Sequence, residues 1–199
     1  MLRYCLQRQR SATERRSCMY RKCATEISAL HQRQVTGSLL ELMQKMPYED
    51  ITVTQLCQTA GVTRRVFYHL FSSKAGALHA LIDHMILDIE TYGKDISNEF
   101  LRFFCYWKDN RHLLDVLQDN QMTSLLLNRM IGITMAEDYD TRRRMNTYDR
   151  ELGQNILVFN FCGVMGITIN WYLSGFQKSP EEMVDLLMLL MKEPPLETE

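Results

Sequence analysis

Four polar side chains fall within six residues, at Arg64, Arg65, Tyr68 and His69, and all four can donate hydrogen bonds to anionic oxygens or base edges. Arginine carries a planar fork of donors that matches a phosphate or the O6 and N7 of guanine, while tyrosine adds a hydroxyl and histidine a ring N–H. Their spacing matters as much as their type. If the stretch is helical, Val66, Phe67, Leu70 and Phe71 share one apolar face and the polar groups project mainly from the others. Such a helix is held rigidly by one side and can read a groove with the other. The chemistry is recognition, because no nucleophile and base can be paired anywhere in the chain.

Two short helices are needed to position these groups, and 52–71, TVTQLCQTAGVTRRVFYHLF, supplies them. Thr52 followed by Gln55 reads as a reciprocal cap that opens the first helix. Gly61 ends it in the left-handed conformation that a residue without a Cβ adopts cheaply, and Thr63 caps the second. An ordinary helical hairpin with solvated arginines satisfies the same pattern, since helix-turn-helix spacing is degenerate.

The residues around this pair carry more information. They run Tyr48-Glu49-Asp50-Ile51-Thr52-Val53, then Ala60-Gly61-Val62-Thr63, Phe67-Tyr68-His69-Leu70-Phe71 and Ser73-Lys74. In this order, from about Val35 to Leu81, the chain resembles the TetR family of bacterial transcription regulators, whose DNA-binding head has a strand-like approach, a helix pair, a T-Y-H-Y-F-like stretch and a lysine. A weaker likeness covers 161–176 and Ser179-Pro180-Glu181-Glu182. The resemblance implies that Thr63, Tyr68, His69 and Lys74 contact phosphates and that Arg64 contacts bases. Arg65 and Val66 depart from the family's common Gly-Thr, and Leu70 replaces its usual tyrosine. Arg65 is an added donor to a base or phosphate, and Thr52 joins the DNA-facing set.

Charge is distributed as a basic head requires. The whole chain has 23 Lys+Arg against 24 Asp+Glu, but residues 1–75 hold 12 against 5, leaving 11 against 19 for the rest. A local cationic surplus fits contact with phosphates, whereas a uniformly polycationic binder is excluded. Part of the surplus lies in residues 1–25, with Arg3, Arg8, Arg10, Arg15, Arg16, Arg21 and Lys22 and little apolar periodicity. They read as a flexible basic arm that runs along a backbone or into a minor groove, or as a solvated leader.

After Lys74, Leu78, Leu81, Ile82, Met85, Ile86 and Ile89 form a helical stripe suited to a rod joining head and body, and the start of this helix is suited to a phosphate. Phe103, Tyr106, Trp107, His112 and Met122 belong to an aromatic and methionine-rich middle that reads either as the lining of a ligand pocket or as plain core. The stretch from Ala136 to Arg150 mixes acids and bases as a solvated helix end or loop does.

Phe159, Val164, Ile167 and Trp171, then Met183, Leu187 and Leu190, mark two closing helices, the second opened by Pro180 and extending to Lys192. They are apolar on more than one side, and the family resemblance assigns them to a two-fold four-helix dimer interface. Cys5, Cys18, Cys23, Cys57, Cys105 and Cys162 form no CxxC pair and lie near no cluster of histidines, so they read as reduced thiols and no metal site is expected.

The expected fold is all-α: a three-helix helix-turn-helix DNA-binding domain at 26–75 after the arm, then a larger helical ligand-binding and dimerisation domain at 76–199. The expected function is a sequence-specific regulator, a homodimeric repressor on a near-palindromic double-stranded operator, responsive to a small-molecule effector. It needs no cofactor, catalyses no reaction, has no membrane span and acts in the cytoplasm. The rival reading is a helical ligand- or partner-binding dimer whose head no longer reads DNA.

Overall fold

A computed structural model describes residues 19–21, 23, 25–142 and 150–192. Among these every regular element is helical, apart from an isolated antiparallel bridge between Tyr20 and Phe71. The all-α expectation therefore holds. Among the described residues the chain packs as two units, one holding those from Met19 to Asp88 together with Asp115–Arg129, the other Ile89–Leu114 together with the described residues from Met130 onward. The first unit thus holds most of the helix after residue 75 and the 115–129 segment together with the head.

In the first unit, α1 (Glu26–Met43) starts at a Thr25–Ser28 capping box and buries Gln32, Val35, Thr36, Leu39, Leu42 and Met43, the three- and four-residue spacing of one helical face. A 3-10 turn, Tyr48–Asp50, takes the place of the strand-like approach, with Pro47 fixing its entry. Then come α2 (Val53–Thr59) and α3 (Arg64–Leu70), both packed on α1 and on each other, and α4 (Lys74–Thr91). Helix α4 buries Ala77, Leu78, Ala80, Leu81, Ile82, Met85 and Ile86, more than one stripe, as a central rod must.

Three further helices cover the middle: α5 (Glu99–Asp109), α6 (Arg111–Asp119) and α7 (Thr123–Arg142). The α6–α7 turn closes with Gln121 at φ +56° and is fixed to the head by Asn120. The Asn120 side-chain oxygen accepts from the Tyr48 N–H at 2.6 Å and its amide donates toward the Met43 carbonyl at 3.5 Å. On the unit's other side, Arg129 of α7 grips Asp83 of α4 through two hydrogen bonds of 2.5 and 2.7 Å.

In the second unit α5 packs against α8 (Arg150–Leu173) and, more extensively, α9 (Pro180–Leu190). Asn98 caps α5 through the N–H groups of Phe100 and Leu101, and a Ser179–Glu182 capping box with Pro180 in the first turn opens α9. Helix α9 ends at Leu190, before Lys192, so Glu181 and Glu182 complement the helix dipole at its start while its last turn holds no cation. Part of 136–150 is helical, since α7 runs to Arg142; 143–149 lie outside the described residues.

Candidate nucleic-acid interface

Each cap expected from the sequence of the helix pair is present. The Gln55 N–H donates to Thr52 Oγ1 at 3.2 Å while Gln55 Oε1 accepts from the Thr52 N–H at 3.0 Å. Gly61 sits at φ +64°, and Thr63 Oγ1 accepts from the Val66 N–H at 3.2 Å. These bonds fix where α3 begins, and hence the angular position of every side chain along it. Phe67 and Leu70 are buried, and Phe67 packs edge-on against Tyr68 and obliquely on Phe71, both at 5.3 Å.

Arg64, Arg65, Tyr68 and His69 are left exposed, with Thr52 and Thr63 exposed at the helix starts. Arg64 is already oriented, its Nη1 donating to Thr54 Oγ1 on α2 at 3.3 Å and its guanidinium lying 5.9 Å from the centre of the Tyr68 ring. Two partners limit the rotamers it must give up on binding. Cys57, behind this surface, is buried, and burial raises its thiol pKa against the opposing pull of Arg64, so it acts as a small hydrophobe rather than a reactive group.

Lys74, half-buried, is engaged within the head. Its ammonium donates to the carbonyls of Tyr48 at 2.7 Å and Glu49 at 3.1 Å, and lies 4.2 Å from the centre of the Tyr48 ring. It braces the 3-10 turn ahead of α2, sharing the Tyr48 carbonyl with the Ile51 N–H, which donates to it at 3.1 Å. Tyr48 itself is buried, and that burial, assisted by the Glu49 carboxylate, pushes its hydroxyl pKa up to about 12. The start of α4 is similarly occupied: Ser73 Oγ accepts from the Gly76 N–H, and Ser72 binds another part of the chain.

That other part is the described end of the expected arm, Met19–Arg21, which is held against the head, while residues 1–18 lie outside the described residues. The Met19 carbonyl accepts from both the N–H and the hydroxyl of Ser72, at 3.2 and 2.8 Å. The Arg21 N–H donates to the Leu70 carbonyl at 2.8 Å, and the side-chain amide of buried Gln32 donates to the Arg21 carbonyl at 3.1 Å. Tyr20 donates its hydroxyl to Asp83, the carboxylate held by Arg129. A low apolar content concealed this docking, which is made largely by hydrogen bonds of main-chain and polar side-chain groups that apolar periodicity does not register. Beside it an open groove of about 570 Å³ is lined by Arg21, His31, Arg65, Tyr68 and His69 among others.

The residues expected to line a ligand pocket do not all share an environment. Phe103, Tyr106 and Trp107 are buried in the second unit, their rings edge-on with Phe103–Trp107 at 6.3 Å and Tyr106–Trp107 at 5.3 Å. His112 is exposed, and Met122 belongs to the first unit. Among the described residues the buried Nε of Arg102 and Nε1 of Trp107 have no hydrogen-bond partner. The interface set divides as well. Phe159 is 78% exposed and Leu190 51%, with Ile167 half-buried, whereas Val164, Trp171, Met183 and Leu187 are buried within their own unit. Trp171 is held there by Phe104 and Phe176 and by donation to the Lys178 carbonyl. Among the described residues no cluster of His, Cys, Asp or Glu could hold a metal ion, and no helix is long and apolar enough to cross a membrane.

Comparison with known proteins places both parts of the chain. Residues 38–81 match the model described as bacterial regulatory proteins, tetR family, and residues 94–193 the model of a transcriptional regulator C-terminal region. The chain is 20% identical over 173 residues to the HTH-type dhaKLM operon transcriptional activator DhaS of Lactococcus lactis subsp. lactis (strain IL1403), covering 83% of this chain and 92% of that protein. Among solved structures, a TetR transcriptional regulator from Streptococcus agalactiae 2603V superposes with a TM-score of 0.60 at 16% identity, covering 84% of this chain and 96% of the other. The dihydroxyacetone kinase operon activator DhaS gives 0.54 at 20% identity, covering 82% and 97%. At these identities the structural likeness establishes the fold.

Proposed function

This chain belongs to the TetR family of bacterial transcriptional regulators, and on that premise we propose that it reads a near-palindromic operator as a homodimer and changes its DNA affinity when an effector binds the helical body. The observation that supports this most directly is the division of α3: Phe67 and Leu70 buried, Arg64, Arg65, Tyr68 and His69 exposed. A major-groove helix needs both properties at once. Thr63, Tyr68 and His69 are assigned to phosphates, Arg64 and Arg65 to bases or phosphates, and Thr52 to the rim. The role is binding without turnover, carried out in the cytoplasm where the DNA is.

As domains we assign 26–75 to the reader and 76–199 to regulation and dimerisation, with exposed Phe159 and Leu190 as the first candidates for the two-fold contact. In a dimer the two heads would meet successive major grooves about 34–36 Å apart. An effector with a tenfold preference for one head spacing shifts the balance by about 1.4 kcal/mol, enough to regulate. Release of DNA by the effector makes the protein a repressor. The DhaS relative is named an activator, which favours a second reading in which the bound dimer raises transcription.

The test is fluorescence anisotropy of the whole chain on DNA from upstream of its own gene and on scrambled DNA, across a salt series. Preference for the upstream DNA with dimer stoichiometry is the expected result. Tyr68→Ala should weaken binding to every sequence, whereas Arg64→Ala should cost about 1–3 kcal/mol at one base pair and relax preference there. Equal losses on all sequences for Arg64→Ala would remove its base-reading role. Ligand or protein binding with no preference for any DNA would favour a head that no longer reads sequence. A reporter fused to the bound DNA then separates repressor from activator.

A further inference from the structure

The docked end of the arm has a construction that the helix pair alone does not require. Met19 crosses the first turn of α4 so closely that a Cβ on Gly76 would lie 2.1 Å from the Met19 carbonyl oxygen, a distance no side chain tolerates. That carbonyl is taken up by Ser72, Tyr20 reaches Asp83, and Arg21 is held through its N–H by Leu70 and through its carbonyl by buried Gln32. With its main chain clamped at both ends, Arg21 keeps an exposed side chain on the groove it shares with Arg65, Tyr68, His69 and His31. Among the described residues no acidic side chain lines this groove. Ile27, Val66 and Leu70 form the apolar part of this open groove, while its two guanidinium groups, two imidazoles and phenol beside a DNA-reading helix fit an anion, and the anion available there is a DNA phosphate.

We propose that Met19–Arg21 is a strap that makes Arg21 an additional DNA contact, a phosphate clamp on the flank of α3 that strengthens binding without reading sequence. This rests on the reading of the chain as a DNA-binding regulator. A clamp of this kind adds counterion release, so its signature is the salt dependence of affinity and not the base preference.

The experiment measures anisotropy of the full chain on its upstream DNA and on single-base variants over a range of salt. Arg21→Ala should flatten the plot of log affinity against log salt by about 0.9 for each arginine removed, twice that for a dimer with both heads on DNA, and leave the order of preference among base variants unchanged. Arg21→Lys, which keeps the charge, should restore the slope. Gly76→Ala should displace the strap while favouring the helix it sits in, so it should reproduce the Arg21→Ala loss, and combining the two should add nothing. If Gly76→Ala fails to fold, the Arg21 pair still decides, since an exposed side chain is replaced. Wild-type affinity and slope in Arg21→Ala, alongside specific binding that needs Tyr68, would overturn the strap alone. A wild-type chain without specific DNA binding would overturn both this inference and the reading beneath it.

Discussion

At the scale of single residues, the head separates groups that can act on a partner from groups already engaged. Arg64 and Lys74 illustrate it: both are cations near the helix pair, yet one leans on Thr54 and Tyr68 at an exposed face while the other donates to the Tyr48 and Glu49 carbonyls of the 3-10 turn. Lys74→Ala should therefore register in stability as well as in DNA binding. His84 of α4 has a different consequence. It is hydrogen-bonded to Thr36 at 3.0 Å, and burial, with the Arg33 cation adding and Asp88 and Asp83 opposing, lowers its pKa below 6.5. His79, on the same helix, is lowered by burial and by Arg129. A histidine whose folded pKa is depressed takes up its proton more readily when unfolded, so its contribution is complete above pH 6.5 and is lost as pH falls through the folded value. Thermal melts from neutral pH down to about pH 5 should show the head losing stability, and His84→Gln should reduce that loss. An unchanged pH profile in the variant would exclude His84 as a source.

At the scale of elements, α2 and α3 are only seven residues each and depend on their ends. A helix this short leaves most of its terminal N–H and C=O groups outside the intrahelical ladder, so caps and the turn decide whether it forms. Gly61 provides a clean test, because a Cβ there would meet nothing within 4 Å and the only obstacle is its φ of +64°. Gly61→Ala should cost about 1–2 kcal/mol, seen as a lower urea midpoint, while the order of preference among DNA sequences is kept. A loss of sequence preference instead would mean that the turn controls the orientation of α3 and not merely its stability.

At the scale of the whole molecule, α8 and α9 expose several large apolar side chains among the described residues, which the proposed dimer would cover. Phe159 at 78% exposure, Leu173 at 65%, and Leu189 and Leu190 at 51% each are costly to leave in water. Phe159→Glu should leave the fold of the chain intact, since the side chain is not in its core, but shift sedimentation from dimer to monomer and weaken operator binding as the second head is lost. A variant that sediments as a dimer would move the interface off this part of α8.

The residues themselves settled most of the caps and turns, which depend on neighbours a few positions away, though not the 3-10 form of 48–50. Thr52 with Gln55, Thr63, Gly61, and Ser179-Pro180 with Glu182 all form the caps and turns their order implies, because those bonds close over three or four residues and need nothing else. The apolar period likewise gave the buried face of α3. Tertiary structure alone decided what each remaining face meets. That Tyr20 reaches Asp83 across 63 positions, that Asn120 binds the main chain before α2, and that Lys74 turns inward cannot be read from spacing, since each requires two distant segments to be brought together first. The same reason divides the closing helices: periodicity marks Trp171, Met183, Phe159 and Leu190 alike as apolar, and only packing against α5 shows that the first two are core and the last two are left at the surface.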